Sequence, residues 1–128
     1  MKKRLDRLGK LADLQRMLKD FHETRNGMLL ADAARARREA QEIASLSASG
    51  SPLSAIFPEV YASRITQAEA RENDSRRQAE IEARRATMAG VRLQRIEQAA
   101  REIDRALERA ELERDALECA GRVRDLPR

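Results

Sequence analysis

The sequence predicts an all-α fold, an antiparallel two-helix coiled-coil hairpin. Three observations predict it: the composition, apolar residues that recur at heptad spacing, and one strong break between two periodic segments. Charged residues make up 38% of the chain and aromatic residues only 2%. This balance, with abundant Ala, Glu, Arg and Leu, is typical of long helices that bury a narrow apolar stripe. Because the apolar residues are regularly spaced, the chain is not read as disordered, the other class that is this polar.

The break lies at residues 47–58, which contain two of the three prolines, one glycine and four serines. Such a cluster ends one helix and starts another. Pro58 suits the first turn of a helix, where its missing N–H leaves no hydrogen bond unmade, and Gly121 suits a helix C-cap. The sequence therefore predicts a single domain, with helix one at about 2–47, a tip loop at about 48–57, helix two at about 58–121 and a tail at 122–128.

Helix two has the clearer heptad pattern. With position a at Ile65, twelve of the sixteen a and d residues are apolar over eight heptads, a period that predicts a left-handed coiled-coil seam. These positions are Ile65, Ala68, Glu72, Ser75, Ala79, Glu82, Ala86, Ala89, Leu93, Ile96, Ala100, Ile103, Leu107, Ala110, Arg114 and Leu117.

Helix one has a less regular stripe. Its largest apolar residues place the seam first along one stripe and then, after a stutter, along a second one. The first stripe contains Leu11, Leu14, Leu18, Phe21, Arg25, Met28, Asp32 and Arg35, and the second contains Leu29, Ala36, Ala40 and Ile43.

A single register relates the two stripes. If the chain folds back near residues 53–54, the numbers of facing residues add to about 107. Large residues then face small ones, as interdigitated packing requires: Leu18 faces Ala89 and Phe21 faces Ala86, while Leu11 faces Ile96. The charged interruptions match as well, since Arg25 faces Glu82 and Arg35 faces Glu72. An unpaired charge in a seam is costly, so these register pairs support the hairpin.

A three-helix arrangement is the alternative fold. Asn26-Gly27 interrupts helix one, and Asn and Gly are common where helices end. The heptad nevertheless continues through Phe21, Arg25 and Met28 without a slip, and no proline follows. We therefore expect helix one to continue through this dipeptide.

Residues that could support catalysis are few. The chain has one histidine and one cysteine, which is too few for a His pair on a metal, a cysteine-based zinc site or a catalytic triad. Its five glycines form no phosphate-binding loop. We expect no enzymatic activity and no cofactor, with His22 a half-exposed residue beside the seam and Cys119 a surface thiol. No apolar run approaches the length of a membrane span, so the cytoplasm is the expected location.

Two regions are candidates for docking to other proteins. The tip gathers Leu53, Ile56, Phe57, Val60 and Tyr61, which either cap the loop or form an interface. At the other end, residues 1–10 carry five basic residues and one acidic residue, and helix two overhangs helix one with Leu107, Ala110 and Leu117 uncovered. This positive end could meet acidic protein or phosphate, but nucleic acid is disfavoured because acidic residues alternate with the basic ones and no base-stacking aromatics accompany them.

The chain resembles the FliJ family of flagellar type III export proteins and its virulence-system counterpart, the YscO family. The resemblance covers the whole length and lies in architecture: a basic first helix with the leucine stripe Leu5, Leu8, Leu11, Leu14 and Leu18, the break at 47–58, and the heptads of 65–117. The chain is shorter than typical members, and Asn26-Gly27 departs from a smooth stalk.

The resemblance implies a non-enzymatic stalk, located in the cytoplasm and peripheral to the export apparatus of the inner membrane. The end with both termini would enter the hexameric export ATPase and stimulate it, through Leu5, Leu8, Ile103, Leu107 and Leu117. The tip residues Ile56, Phe57 and Tyr61 would contact the cytoplasmic domain of the export gate. Export chaperones are further implied partners. A generic coiled-coil scaffold or adaptor, and a basic nucleic-acid-binding protein, are the alternative functions.

Overall fold

The computed structural model describes residues 1–124, and it is all-helical over that range, with no strand. Helix α1 spans Lys2–Ala48, helix α2 spans Pro52–Ile56 and helix α3 spans Pro58–Arg124. The helix α1 packs against α3, as expected of a helical hairpin. Because α1 is continuous through Asn26 and Gly27, the alternative with a helix end at this dipeptide is wrong.

The predicted break forms two closely spaced turns around the short helix α2. Gly50 has φ of +72°, a left-handed conformation that glycine adopts without the steric penalty of a Cβ. Pro52 and Pro58 each occupy the start of a helix, where the missing N–H leaves no hydrogen bond unmade. Ser54 of α2 is buried, and its Oγ donates to the carbonyl oxygen of Ser51 at 2.7 Å.

The chain divides into two compact units. One contains residues 18–88, and the other contains residues 1–17 together with the chain from Ala89 onward. In the 18–88 unit, Arg25 of α1 pairs with Glu82 of α3, and Glu39 of α1 pairs with Arg71 of α3. From the first pair to the second, the residue number rises on α1 and falls on α3. The two helical segments of this unit are therefore antiparallel. In the other unit, Arg16 of α1 pairs with Glu97 of α3 at 3.1 Å.

Small residues form the buried core. Every buried apolar residue of the described chain is alanine, and no large side chain is fully buried. Alanine lets two helix backbones approach closely, so the seam buries little area for each residue and depends on fit along its length. The buried alanines are Ala12, Ala33, Ala36 and Ala40 of α1 and Ala68, Ala79, Ala86 and Ala89 of α3.

The seam of α3 follows the predicted heptad. Every a and d position from Ile65 to Ala110 is buried or half-buried, and the pattern extends back to Tyr61. Only Arg114 and Leu117, at the end of the predicted series, are exposed. The heptad of helix two therefore identifies its packed face.

The predicted seam of α1 is wrong by one position along half of its length. The packed residues form one uninterrupted heptad series, so α1 has no stutter, whereas Leu11, Leu14, Phe21, Arg25 and Met28 are exposed. Polar residues take their place in the seam, where His22 bonds to Glu82 and Asn26 bonds to the backbone of α3. The packed series is Leu5, Leu8, Ala12, Gln15, Lys19, His22, Asn26, Leu29, Ala33, Ala36, Ala40 and Ile43.

The C-terminal bound also differs from expectation. Helix α3 continues through Gly121 to Arg124, three residues beyond the expected end. The helix therefore includes the first residues of the predicted tail, and residues 125–128 of that tail lie outside the described range.

Candidate functional site: a buried polar layer

The most distinctive side-chain cluster lies in the 18–88 unit, where polar residues interrupt the seam of both helices. On α1, the heptad places His22 and Asn26 in the seam, and on α3 it places Glu82 there. A long helix tolerates these polar residues when residues of high helix propensity flank them, because the helix satisfies the hydrogen bonds of their backbone groups. The side chains must then satisfy one another across the interface.

Glu82 is at the centre of the cluster. Its side chain is only 6% exposed and accepts three hydrogen bonds. His22 Nδ1 lies 2.5 Å from Glu82 Oε2, so with a carboxylate as acceptor the proton is on Nδ1. The other oxygen, Oε1, accepts from Arg25 Nε at 3.3 Å and from Arg85 Nη1 at 3.1 Å.

Neighbouring contacts hold these donors in place. The rings of Phe21 and His22 meet edge to face with centroids 5.2 Å apart, and the Arg25 guanidinium lies 5.8 Å from the centroid of Phe21. Both arrangements are favourable for aromatic rings. One turn further along, Asn26 Nδ2 donates to the backbone carbonyl oxygen of Ala79 at 2.7 Å. Asn26 therefore connects α1 to the backbone of α3.

The surroundings of Glu82 favour its charged form. The hydrogen bond from His22 lowers the pKa of Glu82 from its ordinary value of 4.5, and burial of the carboxyl opposes this shift. The Coulombic attraction of His22, the hydrogen bond from Arg25 and the charge of Arg85 lower the pKa further. Glu82 is thus an ionised carboxylate inside the seam, stabilised by cationic and polar donors.

Such a layer fixes which residues face each other. A slip of one heptad that brings Leu29 into the place of His22 would take the closest donor away from the buried carboxylate of Glu82, which is costly. The layer holds no nucleophile beside a base, and residues 1–124 contain no group of three or more His, Cys, Asp or Glu residues that could hold a metal ion. Polar residues at seam positions specify the register of a coiled coil.

The predicted register pairs are only partly present. Arg25 and Glu82 form an ion pair, although Arg25 reaches in from beside the seam. The expected pair of Arg35 with Glu72 is wrong. Arg35 instead pairs with Asp32 on its own helix, and Glu72 pairs with Arg76 on its own helix at 2.9 Å. Since Arg35 lies outside the packed series, partners one turn away are closer to it than the opposite helix.

The tip residues differ in their exposure. Ile56 and Phe57 are exposed, as are Leu53 and Val60. Tyr61 is half-buried and continues the seam of α3, so it does not form part of an exposed tip surface. The large apolar side chains exposed at the tip are therefore those of Leu53, Ile56, Phe57 and Val60.

At the terminal unit, Leu5, Leu8, Ile103 and Leu107 are half-buried. The expectation that Leu107 and Ala110 are uncovered is wrong, because both are half-buried and the fully exposed stretch begins at Glu111. Every residue of α3 from 111 to 120 is exposed, Leu117 among them. Leu5 and Leu8 share a surface groove with Ile96 and Ala100 of α3.

Sequence reasoning missed His22 and Asn26 as members of the site. The signal was available: Leu5, Leu8, Ala12 and Gln15 already set a heptad that leads to His22, Asn26 and Leu29 without a stutter. Large apolar residues one position earlier obscured it. Gln15 belongs to the same series, and its Oε1 is buried without a hydrogen-bond partner among the described residues.

Comparison with protein-family models, with curated proteins and with solved structures finds no match to this chain. Within residues 1–124, none of the helices combines the length and the apolar character needed to cross a membrane.

Proposed function

We propose that this protein is a non-enzymatic coiled-coil stalk of a bacterial type III export apparatus, in which it docks to and stimulates a hexameric export ATPase. In this proposal the whole chain forms one antiparallel two-helix coiled-coil hairpin, as in the FliJ and YscO families that it resembles. The exposed tip residues Leu53, Ile56, Phe57 and Val60 contact the cytoplasmic domain of the export gate. Export chaperones are further partners, and the protein acts in the cytoplasm beside the membrane apparatus.

The observation that carries the proposal is the bare end of α3. Residues 111–120 are all exposed, and so is Val123 beyond them, yet these residues include apolar side chains at helical spacing. Leu112, Ala116, Cys119 and Val123 follow one another at intervals of four, three and four residues and therefore share one face. An exposed helix with an apolar face supports the presence of a partner that covers it.

The charges of the terminal unit are arranged in blocks. Residues 1–10 carry five basic residues and one acidic residue, whereas 111–118 carry four acidic residues and one arginine. The C-terminal part of α3 is therefore not simply positive, as the composition of the tail alone would indicate. A partner surface with both signs fits this pattern, and its attraction would be weakened by salt with a screening length of about 8 Å at physiological ionic strength.

The test is ATP turnover by the cognate hexameric export ATPase as this protein is added. We expect stimulation to saturate near one protein chain per hexamer, since a single stalk in a ring cannot occupy six equal sites. Removal of residues 1–10, or Leu112→Asp with Val123→Asp, should abolish stimulation, since both side chains are exposed on this face. Leu46→Asp is the matched control, because Leu46 is an exposed leucine of the other unit.

Circular dichroism would verify that each variant keeps its helix content. Unchanged turnover with the wild-type protein would reject the stalk function and leave a generic coiled-coil adaptor. Stimulation that survives in the double aspartate variant, or is equally lost in Leu46→Asp, would reject the bare end of α3 as the docking surface.

A further inference from the structure

One face of the 18–88 unit repeats the same three-residue pattern on both helices. On α1 the pattern is Phe21, Arg25 and Met28, and on α3 it is Ile81, Arg85 and Met88. Each series has the spacing i, i+4 and i+7, which aligns its members along one side of a helix. Both arginines bond to the same carboxylate, that of Glu82, so the two series meet over the polar layer.

The four apolar side chains of this face are open to solvent. Phe21, Met28, Ile81 and Met88 are each between 45% and 63% exposed. Methionine adapts its shape to a partner and is common on surfaces that bind helices. Phe21 is also held in place by its contacts with His22 and Arg25, which reduces the entropy lost when a partner covers it.

The centre of the face is positive. Arg25 and Arg85 remain 49% and 58% exposed although both bond to Glu82. A guanidinium has five N–H donors, and each of these two arginines uses one on the buried carboxylate. Two arginines surround one glutamate, so the cluster keeps positive charge and unused donors that point to a carboxylate partner.

This charge pattern distinguishes between the possible occupants. A second copy docked through the same face would place Arg25 and Arg85 against their own equivalents, and like charges at an interface oppose association. A helix with a carboxylate between apolar residues would satisfy both features. Its apolar side chains would cover the four exposed apolar residues of the face, and its carboxylate would accept hydrogen bonds from the two arginines.

We infer that this face, defined by Phe21, Arg25, Met28, Ile81, Arg85 and Met88, is a docking surface for an acidic amphipathic helix of another protein. The helix lies along α1 and α3 as a third strand of the coiled coil, in the helix-in-groove manner. This surface is separate from the bare end of α3 on which the proposed stalk function depends, so either can fail without the other.

The probe is a synthetic three-heptad peptide with a fluorescent label, with leucine at its a and d positions except for glutamate at the a position of the middle heptad. The control peptide has lysine in place of that glutamate. Fluorescence anisotropy with the full-length protein should give a dissociation constant below about 100 μM for the glutamate peptide, which corresponds to modest but specific binding. Affinity for the lysine peptide should be at least tenfold weaker.

Two double variants locate the site. Met28→Gln with Met88→Gln should weaken binding of the glutamate peptide at least tenfold, whereas Leu30→Gln with Leu46→Gln should leave it within twofold. All four residues are exposed, so circular dichroism should show equal helix content in both variants. Equal binding of the two peptides, equal effects of the two variants, or no binding at all would overturn the inference.

The other occupants give distinct results. We expect no dimer of the wild-type protein alone in sedimentation experiments. A dimer that the Met28→Gln with Met88→Gln variant abolishes would show that a second copy of this protein occupies the face. Duplex DNA should not displace the glutamate peptide. Displacement that depends on Arg25 and Arg85 would make this face a phosphate-binding surface and overturn the assignment to a helix.

Discussion

His22 of α1 and Glu82 of α3 are joined by a hydrogen bond of 2.5 Å between Nδ1 and Oε2, and both lie in the packed seam of the 18–88 unit. This contact, together with the two arginines on the other carboxylate oxygen, places an ionised group inside a core whose buried apolar residues are all alanine. Its stability depends on pH and on its donors, which makes the layer accessible to direct tests.

The first prediction concerns acid. Because the pKa of Glu82 is lower in the folded protein than its ordinary value of 4.5, the folded state binds this proton less readily than the unfolded state does. Glu82 therefore contributes stability that is fully present above about pH 4.5 and is lost as the pH falls through the lowered folded pKa. Thermal melts of Glu82→Gln should show a reduced Tm at pH 7 and a smaller difference from wild type at acid pH.

Glu80→Gln is the matched control, since Glu80 lies two residues away and its side chain is exposed. Its Tm should follow that of the wild-type protein from pH 7 into acid. A Glu82→Gln variant whose deficit stays constant with pH would show that the carboxylate contributes through packing alone.

The second prediction concerns the partners of Glu82. His22→Leu should lower the Tm at pH 7, because the buried carboxylate loses its closest donor. Replacing both residues, His22→Leu with Glu82→Leu, should restore the Tm at least to the wild-type value, since apolar pairs often replace buried polar pairs without loss. Arg25→Ala should have the smaller effect, because Arg25 is half exposed and Glu82 keeps two other donors. A double variant no more stable than His22→Leu would contradict the coupling.

The third prediction concerns Gly27, which lies inside the continuous helix α1. A Cβ built at this position meets no atom within 4 Å, so alanine should fit and stabilise the helix by about 0.5–1 kcal/mol. Gly50→Ala should do the opposite and destabilise by about 1–2 kcal/mol, since Gly50 has a left-handed backbone. Chemical denaturation of both variants provides the measurement, and a loss of stability in Gly27→Ala would indicate that α1 does not continue through residue 27.

The fourth prediction tests whether the alanines of α1 lie in the packed seam. Ala33 is only 2% exposed, whereas Ala31 is exposed on the same helix. Ala33→Leu should destabilise the protein by about 1–3 kcal/mol, because the close seam has no room for three more carbons. Ala31→Leu should change the unfolding free energy by less than about 0.5 kcal/mol, as surface substitutions usually do. Equal effects in a denaturation series would show that the alanine seam is not the packed face.

The sequence by itself determined the helical class, the break at residues 47–58 and the packed face of α3. Composition excluded a large apolar core, Pro52, Pro58 and Gly50 interrupt helix formation through their own backbone chemistry, and the α3 heptad offers only one face with the right period. The ion pair between Arg25 and Glu82 was also predictable, since a charge in a seam needs an opposite charge in the same layer.

Only the tertiary structure decided which stripe of α1 faces α3. Two stripes with the same heptad period lie one residue apart on this helix, and the one with the larger side chains, from Leu11 through Phe21 to Met28, is the more hydrophobic. The packed stripe is the other one, in which Ala12 is buried while His22 and Asn26 hydrogen-bond to Glu82 and to the backbone carbonyl of Ala79 on α3. Periodicity sets the spacing of a seam, but the choice between two stripes of equal period depends on the shape and hydrogen-bonding needs of the opposite helix.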